Sequence, residues 1–592
     1  MEARVTKRDK KVHLSYELRH RTHSAQLYPL CTPNDSTLIV CPYDRGIRLI
    51  WRGGRRRKEV KTQGPNGQQR QPEIIILDDD EEEQQARAQP DLDAFERTDE
   101  ETDPDCPYPS MTQHVDVVLD SEVLHLAVPL LPTASIRPSD ALRKHAAIAV
   151  SCDDGSQRVL TFDLLPPSND DKDDYANDIR DRQIHFPSAG AECTALAAKM
   201  VLTQGHSDSH ATSFLLVSTA SDLLQIYRFA VFDSLTNLQQ DAELQTAQLP
   251  HQAKSVQFHP SATSTQLLLT DHSGVVRVYD PFTTSDSANT ATSAPIEDEA
   301  QMGEQGKWIT AFTSSFASQA GKPPRRKQVL AAQWIRSGRA ILALLDDGEW
   351  GIWEVYGNIP AGKSANDFVV RGYLGASTAA EPSSSGRQSK NAAKLAPMTP
   401  NTRKVKSENF FSGATKAPTM GQAKGGISVS TSSVRAGQTD ESVVMWYNSD
   451  IYCIPSLQQF WQRSTSTSSN HNFGSLYAPG LTHITDVNLF NECITSISQF
   501  AANAANSGVG HMNTQRDLLI ATEYRLSILQ SLRPADTPAR QLFQPQGGLA
   551  DAPAVLDQDM LDAGQLDVGG LDRMLDSMAN GDARPRRVGF AR

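Results

Sequence analysis

Short apolar runs recur along the chain, each followed by a polar turn and a second strand in which apolar and polar residues alternate. The clearest copy, residues 255–280, reads SVQFHPSATSTQLLLTDHSGVVRVYD. Val256 and Phe258 alternate with polar residues up to His259-Pro260. Leu267 to Leu269 are continuously apolar, Asp271 to Gly274 form a polar turn, and a second alternating strand ends at Tyr279-Asp280. Alternation with period two predicts a strand with one apolar face, whereas an unbroken run predicts a strand covered on both faces. Gly274 stands where a tight hairpin needs a positive φ.

The template repeats. Residues 329–355 carry Trp334, the run Ile341 to Leu345, the turn Asp346-Asp347-Gly348 and Trp353. Residues 27–51 give a strand, a turn, a strand, Asp44-Arg45-Gly46 and a last strand ending at Trp51. Weaker copies occupy 146–164, 213–231, 442–457 and 517–532, making seven in all. A WD-type repeat takes roughly 40–45 residues, so seven of them fill about half of this chain. A strand buried on both faces is what a blade packed between two neighbours requires. The fold class expected is therefore all-β, a seven-bladed WD40-type β-propeller spanning 11–532. Such a ring must hide its last edge. Residues 11–18, with Val12, Leu14, Tyr16 and Leu18 on one face, are placed to be the outer strand that closes it.

Between the copies lie stretches rich in Gln, Ser, Thr, Pro, Lys or Asp and without periodicity, at about 55–110, 166–190, 281–304 and 376–424. Their composition predicts disordered insertions. The tail 533–592 is expected to be disordered as well, apart from a candidate short helix at 571–578, where Leu571, Met574, Leu575 and Met578 share one helical face.

Composition narrows the function. The formal charge of −13 makes nucleic acid an unfavourable partner for the chain as a whole, since phosphate binding needs clustered positive surface. The seven cysteines include no CxxC pair, which predicts reduced thiols rather than a disulfide scaffold or zinc module. The N-terminal residues are charged, with no signal-peptide pattern, and no run is long enough to span a bilayer, so an intracellular soluble protein is expected. There is no GxxxxGK[ST] phosphate loop, and GISVS at 426–430 lacks the last Gly of a nucleophile elbow. The acidic stretch 169–178 lacks the Gly at which an EF-hand loop turns. His206 with His210, and His20 with His23, stand beside no Glu or Cys in a ligand pattern. No catalytic, metal or cofactor-binding residue is assigned, no small-molecule substrate is expected, and an enzyme is disfavoured.

Three kinds of segment suggest contacts. Ile74, Ile75, Ile76 and Leu77, followed by acidic residues 78–83, form a candidate SUMO-interacting segment, because β-formers beside an acidic run suit addition to the sheet edge of a basic partner. The basic runs 52–58 and 325–327 are candidates for an import signal or an RNA contact, although such runs are usually solvated faces. Thr-Pro pairs at Thr399 and Thr537 are candidate phosphorylation sites.

The opening stretch LYPLCTPNDSTLIVCPYDRGIRLIWRGGRR (27–56), followed by EIIILDDDEEE (73–83), resembles filamentous-fungal members of one family. That family is the small WD-repeat nucleoporins of the Y-shaped outer-ring complex, the thirty-seven-kilodalton nucleoporins. The resemblance extends through the blade motifs over most of 11–532. It implies a scaffold subunit at the nuclear pore complex of the nuclear envelope, docked on the large nucleoporin of the short arm and supporting nucleocytoplasmic transport, with no catalytic residues. The alternative is a WD-repeat adaptor of a ubiquitin-ligase or chromatin complex. Ligase adaptors of this fold often carry Trp-Asp-x-Arg, and the nearest sequence here, Tyr279-Asp280-Pro281-Phe282, has no Arg.

Overall fold

The computed structural model describes residues 2–8, 11–55, 108–131, 140–186, 192–204, 210–231, 243–282, 306–317, 324–356, 366–374, 423–435, 438–465, 480–485, 487–500 and 516–531. Their strands form seven antiparallel blade sheets, one for each repeat read from the sequence, and one small two-stranded sheet. Blade 1 runs Gln26–Cys31, Thr37–Tyr43, Gly46–Arg52 and Met111–Val118, in that spatial order from the axis outward. Blades 2 to 6 repeat the meander at 123–186, 193–248, 253–313, 329–373 and 425–484. The first strand of each blade packs on the first or second strand of the blade before it, and that of the seventh, Ile494–Gln499, lies against that of the first. The molecule is a closed seven-bladed β-propeller.

Burial explains why these residues make blades. Leu38 to Cys41, Ala340 to Leu345 and Leu518 to Ala521 are almost wholly buried, because middle strands are covered on both faces. Seven apolar clusters occur among the described residues, one at each junction between neighbouring blades. The core is therefore distributed as seven wedges rather than gathered at one centre.

The hairpin turns behave as the sequence predicts. Gly274 has φ +79°, and a Cβ there would stand 2.3 Å from the Lys327 carbonyl oxygen. Asp271 accepts from the Ser273 and Val275 backbone N–H groups, both at 2.9 Å, and pairs with Arg277. Burial alone would raise its carboxyl, but the bonds from Ser273, Val275 and Arg277 win and hold it below the usual carboxylate range.

Ring closure uses both ends of the described chain. Lys11–Glu17 pairs antiparallel with Arg525–Ser531, Leu14 opposite Ile528, as the alternation at 11–18 predicts. A further strand, Arg4–Arg8, pairs outside it, so blade 7 has five strands. Phe490 lies beneath the Arg525 guanidinium at 4.4 Å and the Arg4 guanidinium at 5.4 Å, and Glu492 holds Arg525 at 2.9 Å.

One expectation is corrected. Residues 166–190, expected to be a disordered insertion, contain a helix at Lys172–Asp181. Its Ile179 is buried, its Tyr175 hydroxyl donates to the Asp163 carbonyl, and the Tyr175 ring meets Trp51 edge-on at 6.1 Å. Two anchors at i, i+4 suffice to dock a short charged helix on a blade junction, and its many Asp residues conceal that spacing. A second helix, Leu457–Thr465, packs Phe460 and Trp461 against the junction of blades 5 and 6. Most of the stretch 55–110, and 283–304, 376–422 and the helix expected at 571–578, lie outside the described residues.

Candidate interaction surface

The candidate contact segments fare differently. Ile74, Ile75, Ile76 and Leu77 lie outside the described residues, as do Thr399, Thr537 and His206. The run 52–58 begins as structure rather than free charge. Arg52 is buried, 3.5 Å from the Asp517 carboxylate, and its guanidinium lies 4.3 Å over Phe500. Burial lowers its pKa against the pull of Asp517. Arg55 donates to the Pro33 carbonyl at 2.8 Å, while residues 56–58 fall outside the described set. Arg52 thus fastens blade 1 to blade 7 and is withdrawn from contact with a nucleic acid.

The second basic run, 325–327, belongs to a small two-stranded sheet in the link from blade 4 to blade 5, where Phe316–Ala317 pairs with Arg325–Arg326. Arg326 donates to the Ser314 carbonyl at 3.0 Å and lies 4.7 Å over the Phe316 ring. Lys327 is buried and paired with Asp347 at 2.7 Å and Glu349 at 2.5 Å. Burial opposes its charge, but these two carboxylates raise its pKa. Lys327 is therefore a structural ion-pair member, whereas Arg325 reaches solvent.

Large exposed side chains gather in the same sector. Ten large apolar side chains are exposed among the described residues, and Trp308, Ile309, Phe316, Tyr356 and Tyr373 all belong to blades 4 and 5. Clustered aromatics of this kind mark contact surfaces more often than scattered ones do. They divide between the two ends of the strands. Phe316 and Tyr373 sit at the end carrying the turn at Gly274, to whose carbonyl the Ser314 N–H donates at 3.0 Å. Tyr356 sits at the other end, its hydroxyl 2.6 Å from Gln266. Composition counts missed this sector. The signal that could have found it is a Phe three residues past the outer strand of one copy and an Arg-Arg pair just before the next.

Two titratable clusters lie elsewhere in the ring. Lys199, on the first strand of blade 3, is 1% exposed and donates to the carbonyls of His259, Ser261 and Ser264 at 2.6, 2.7 and 2.6 Å. Burial pulls its pKa down to about 7. Its position sews blade 3 to the first turn of blade 4, out of reach of any substrate. His23 Nε2 lies 3.6 Å from Asp44, and with Glu122 these are the residues that could hold a metal, their ligand atoms all within 4.8 Å. Both carboxylates are solvated, so water competes with any cation there, and the arrangement assigns no metal. His20 instead stacks on Tyr43 at 4.9 Å.

No helix among the described residues is long and apolar enough to cross a membrane. The geometry is thus a closed ring with an exposed aromatic and arginine surface. Comparison with known proteins points the same way. Residues 15–529 match the family model described as the nucleoporin NUP37 N-terminal domain, a span that takes in all seven blades. The chain is also similar to nucleoporin NUP37 of Chaetomium thermophilum, a filamentous fungus, at 26% identity over 88% of this chain and 78% of that protein. With a family match over most of its length, the chain belongs to the nucleoporin NUP37 family.

Proposed function

We propose that this propeller is a non-enzymatic scaffold subunit of the outer ring of the nuclear pore complex. Family membership makes the chain a component of that complex with protein partners there. The single observation that supports the finer role is that the family match, 15–529, runs through all seven blades, so the shared feature is the propeller body rather than a local site. A closed ring resists deformation and offers two faces and a rim, enough for several interfaces of about 800 Å² per partner. Its partner, in this reading, is the large nucleoporin of the short arm of the Y-shaped complex, and through it the chain supports nucleocytoplasmic transport. The test is affinity purification of the tagged chain from its own cells with mass spectrometry. Outer-ring nucleoporins are the expected company. A cullin adaptor or histone-modifying subunits in their place would establish the adaptor alternative.

The segment Ile74, Ile75, Ile76 and Leu77 is proposed as a SUMO contact in addition, on its sequence of β-formers before an acidic run. Replacing the four by alanine is expected to abolish retention of the full chain on immobilised SUMO. Retention unchanged by that replacement would remove the assignment.

A further inference from the structure

We propose that the ledge formed by Phe316, Arg325, Arg326, Arg371 and Tyr373 is a docking surface for an acidic, extended segment of a partner protein carrying an aromatic anchor. This deepens the scaffold reading and rests on it. The ledge is one surface because its parts are linked. Ser315, next to Phe316, donates to Glu349 at 3.4 Å. Glu349 is paired across the sheet with Tyr373, and Arg371 lies two residues before Tyr373 on the same face of the outer strand Val370–Tyr373. Phe316 and Tyr373 are 58% and 53% exposed, a high cost to leave in water unless something covers them.

Charge selects the occupant. Two carboxylates beside the ledge, Asp347 and Glu349, are already committed to Lys327. Arg326 is fixed by Ser314 and by the Phe316 ring with no carboxylate on it, and no carboxylate partner is found for Arg325 or Arg371 among the described residues. Three guanidinium forks are therefore left for planar anions, which carboxylates match in geometry. Among the described residues the outer strand of blade 5 has no further strand beside it, so an extended segment can lie along it. Arginines beside aromatic rings also suit single-stranded RNA, but the chain's charge of −13 opposes a polyanion whose phosphates extend far past the ledge.

The experiment measures fluorescence anisotropy of the full chain with a short labelled peptide of glutamate and aspartate around one phenylalanine. The wild type is expected to bind it, more weakly as salt rises. Arg325→Glu with Arg326→Glu, and separately Phe316→Ala, are expected to weaken binding about tenfold or more. Arg325→Gln with Arg371→Gln, which leaves the small sheet intact, is expected to act in the same direction. Tyr524→Ala, exposed on blade 7, should leave binding unchanged. No binding by the wild type, equal binding of a peptide with lysines in place of the acids, unaltered binding by the variants, or displacement of the peptide by oligouridine overturns the proposal. A parallel purification separates the two readings. Outer-ring nucleoporins recovered equally on the wild type and the charge-reversed chain overturn the ledge alone, whereas their absence from the wild type overturns the scaffold reading.

Discussion

Blade 7 and the sector of blades 4 and 5 solve the same packing problem by opposite means. Blade 5 is made from one stretch of chain, 329–373, and its junction with blade 4 is filled by aromatics, with Trp353 stacked on Phe312 at 5.4 Å and tilted against Phe368 at 4.6 Å. Blade 7 joins residues 4–17 to residues 494–531 and is held by strand pairing, by the Val12, Leu14 and Tyr16 face, and by a cluster of arginines around Phe490. A contiguous blade forms through local contacts at small entropic cost. The closing blade must join segments about five hundred residues apart, so its stability depends on every other blade being in place.

The seam of blade 7 is the most sensitive point of the ring. Deleting residues 2–17 strips the two outer strands, uncovers Leu526 and Ile528, and leaves an open edge. Loss of a single cooperative melting transition in calorimetry, with aggregation, is expected. By contrast, Trp353→Ala should cost about 3–5 kcal/mol, read as a lowered urea midpoint, while the ring stays closed and melting stays cooperative.

Lys199 sharpens the contrast from the contiguous side. Its unfolded-state pKa is the ordinary 10.5, and burial lowers the folded one to about 7. Between those values the unfolded chain binds more protons, so this residue makes folding stability rise with pH above about 7 and contributes no pH dependence below it. The stability gap between wild type and Lys199→Met should shift in favour of the wild type by about 1 kcal/mol per pH unit from roughly pH 7.5 to 9, measured by urea titration. The smallest effect is expected for Arg525→Ala, which releases Glu492 and Phe490. A loss of about 1 kcal/mol is expected, visible as faster hydrogen exchange in Arg4–Arg8 before any change in blade 5.

The fold was legible because its information is periodic. Leu267–Leu269 and Ile341–Leu345 declare two-sided burial in their own composition, and Val12, Leu14 and Tyr16 declare the closing strand, although the further strand Arg4–Arg8 outside it was not foreseen. The helix at Lys172–Asp181 was not legible, because only Tyr175 and Ile179 anchor it among charged neighbours. Nor did the charge runs announce their roles. Arg52 and Arg55 read alike as a basic loop, and only their surroundings separate a buried blade-to-blade fastener from a loop contact. The same holds for Lys327 and Arg325, where two carboxylates reached by folding decide which charge is neutralised and which faces a partner.

The ring is sealed by its first strands, and hydrogen–deuterium exchange of the full chain measures that seal without altering any residue. Lys11–Glu17 and Arg525–Ser531 are expected to be protected to the same degree and to open together. Rapid exchange throughout Lys11–Glu17 while Arg525–Ser531 stays protected would contradict the closed propeller.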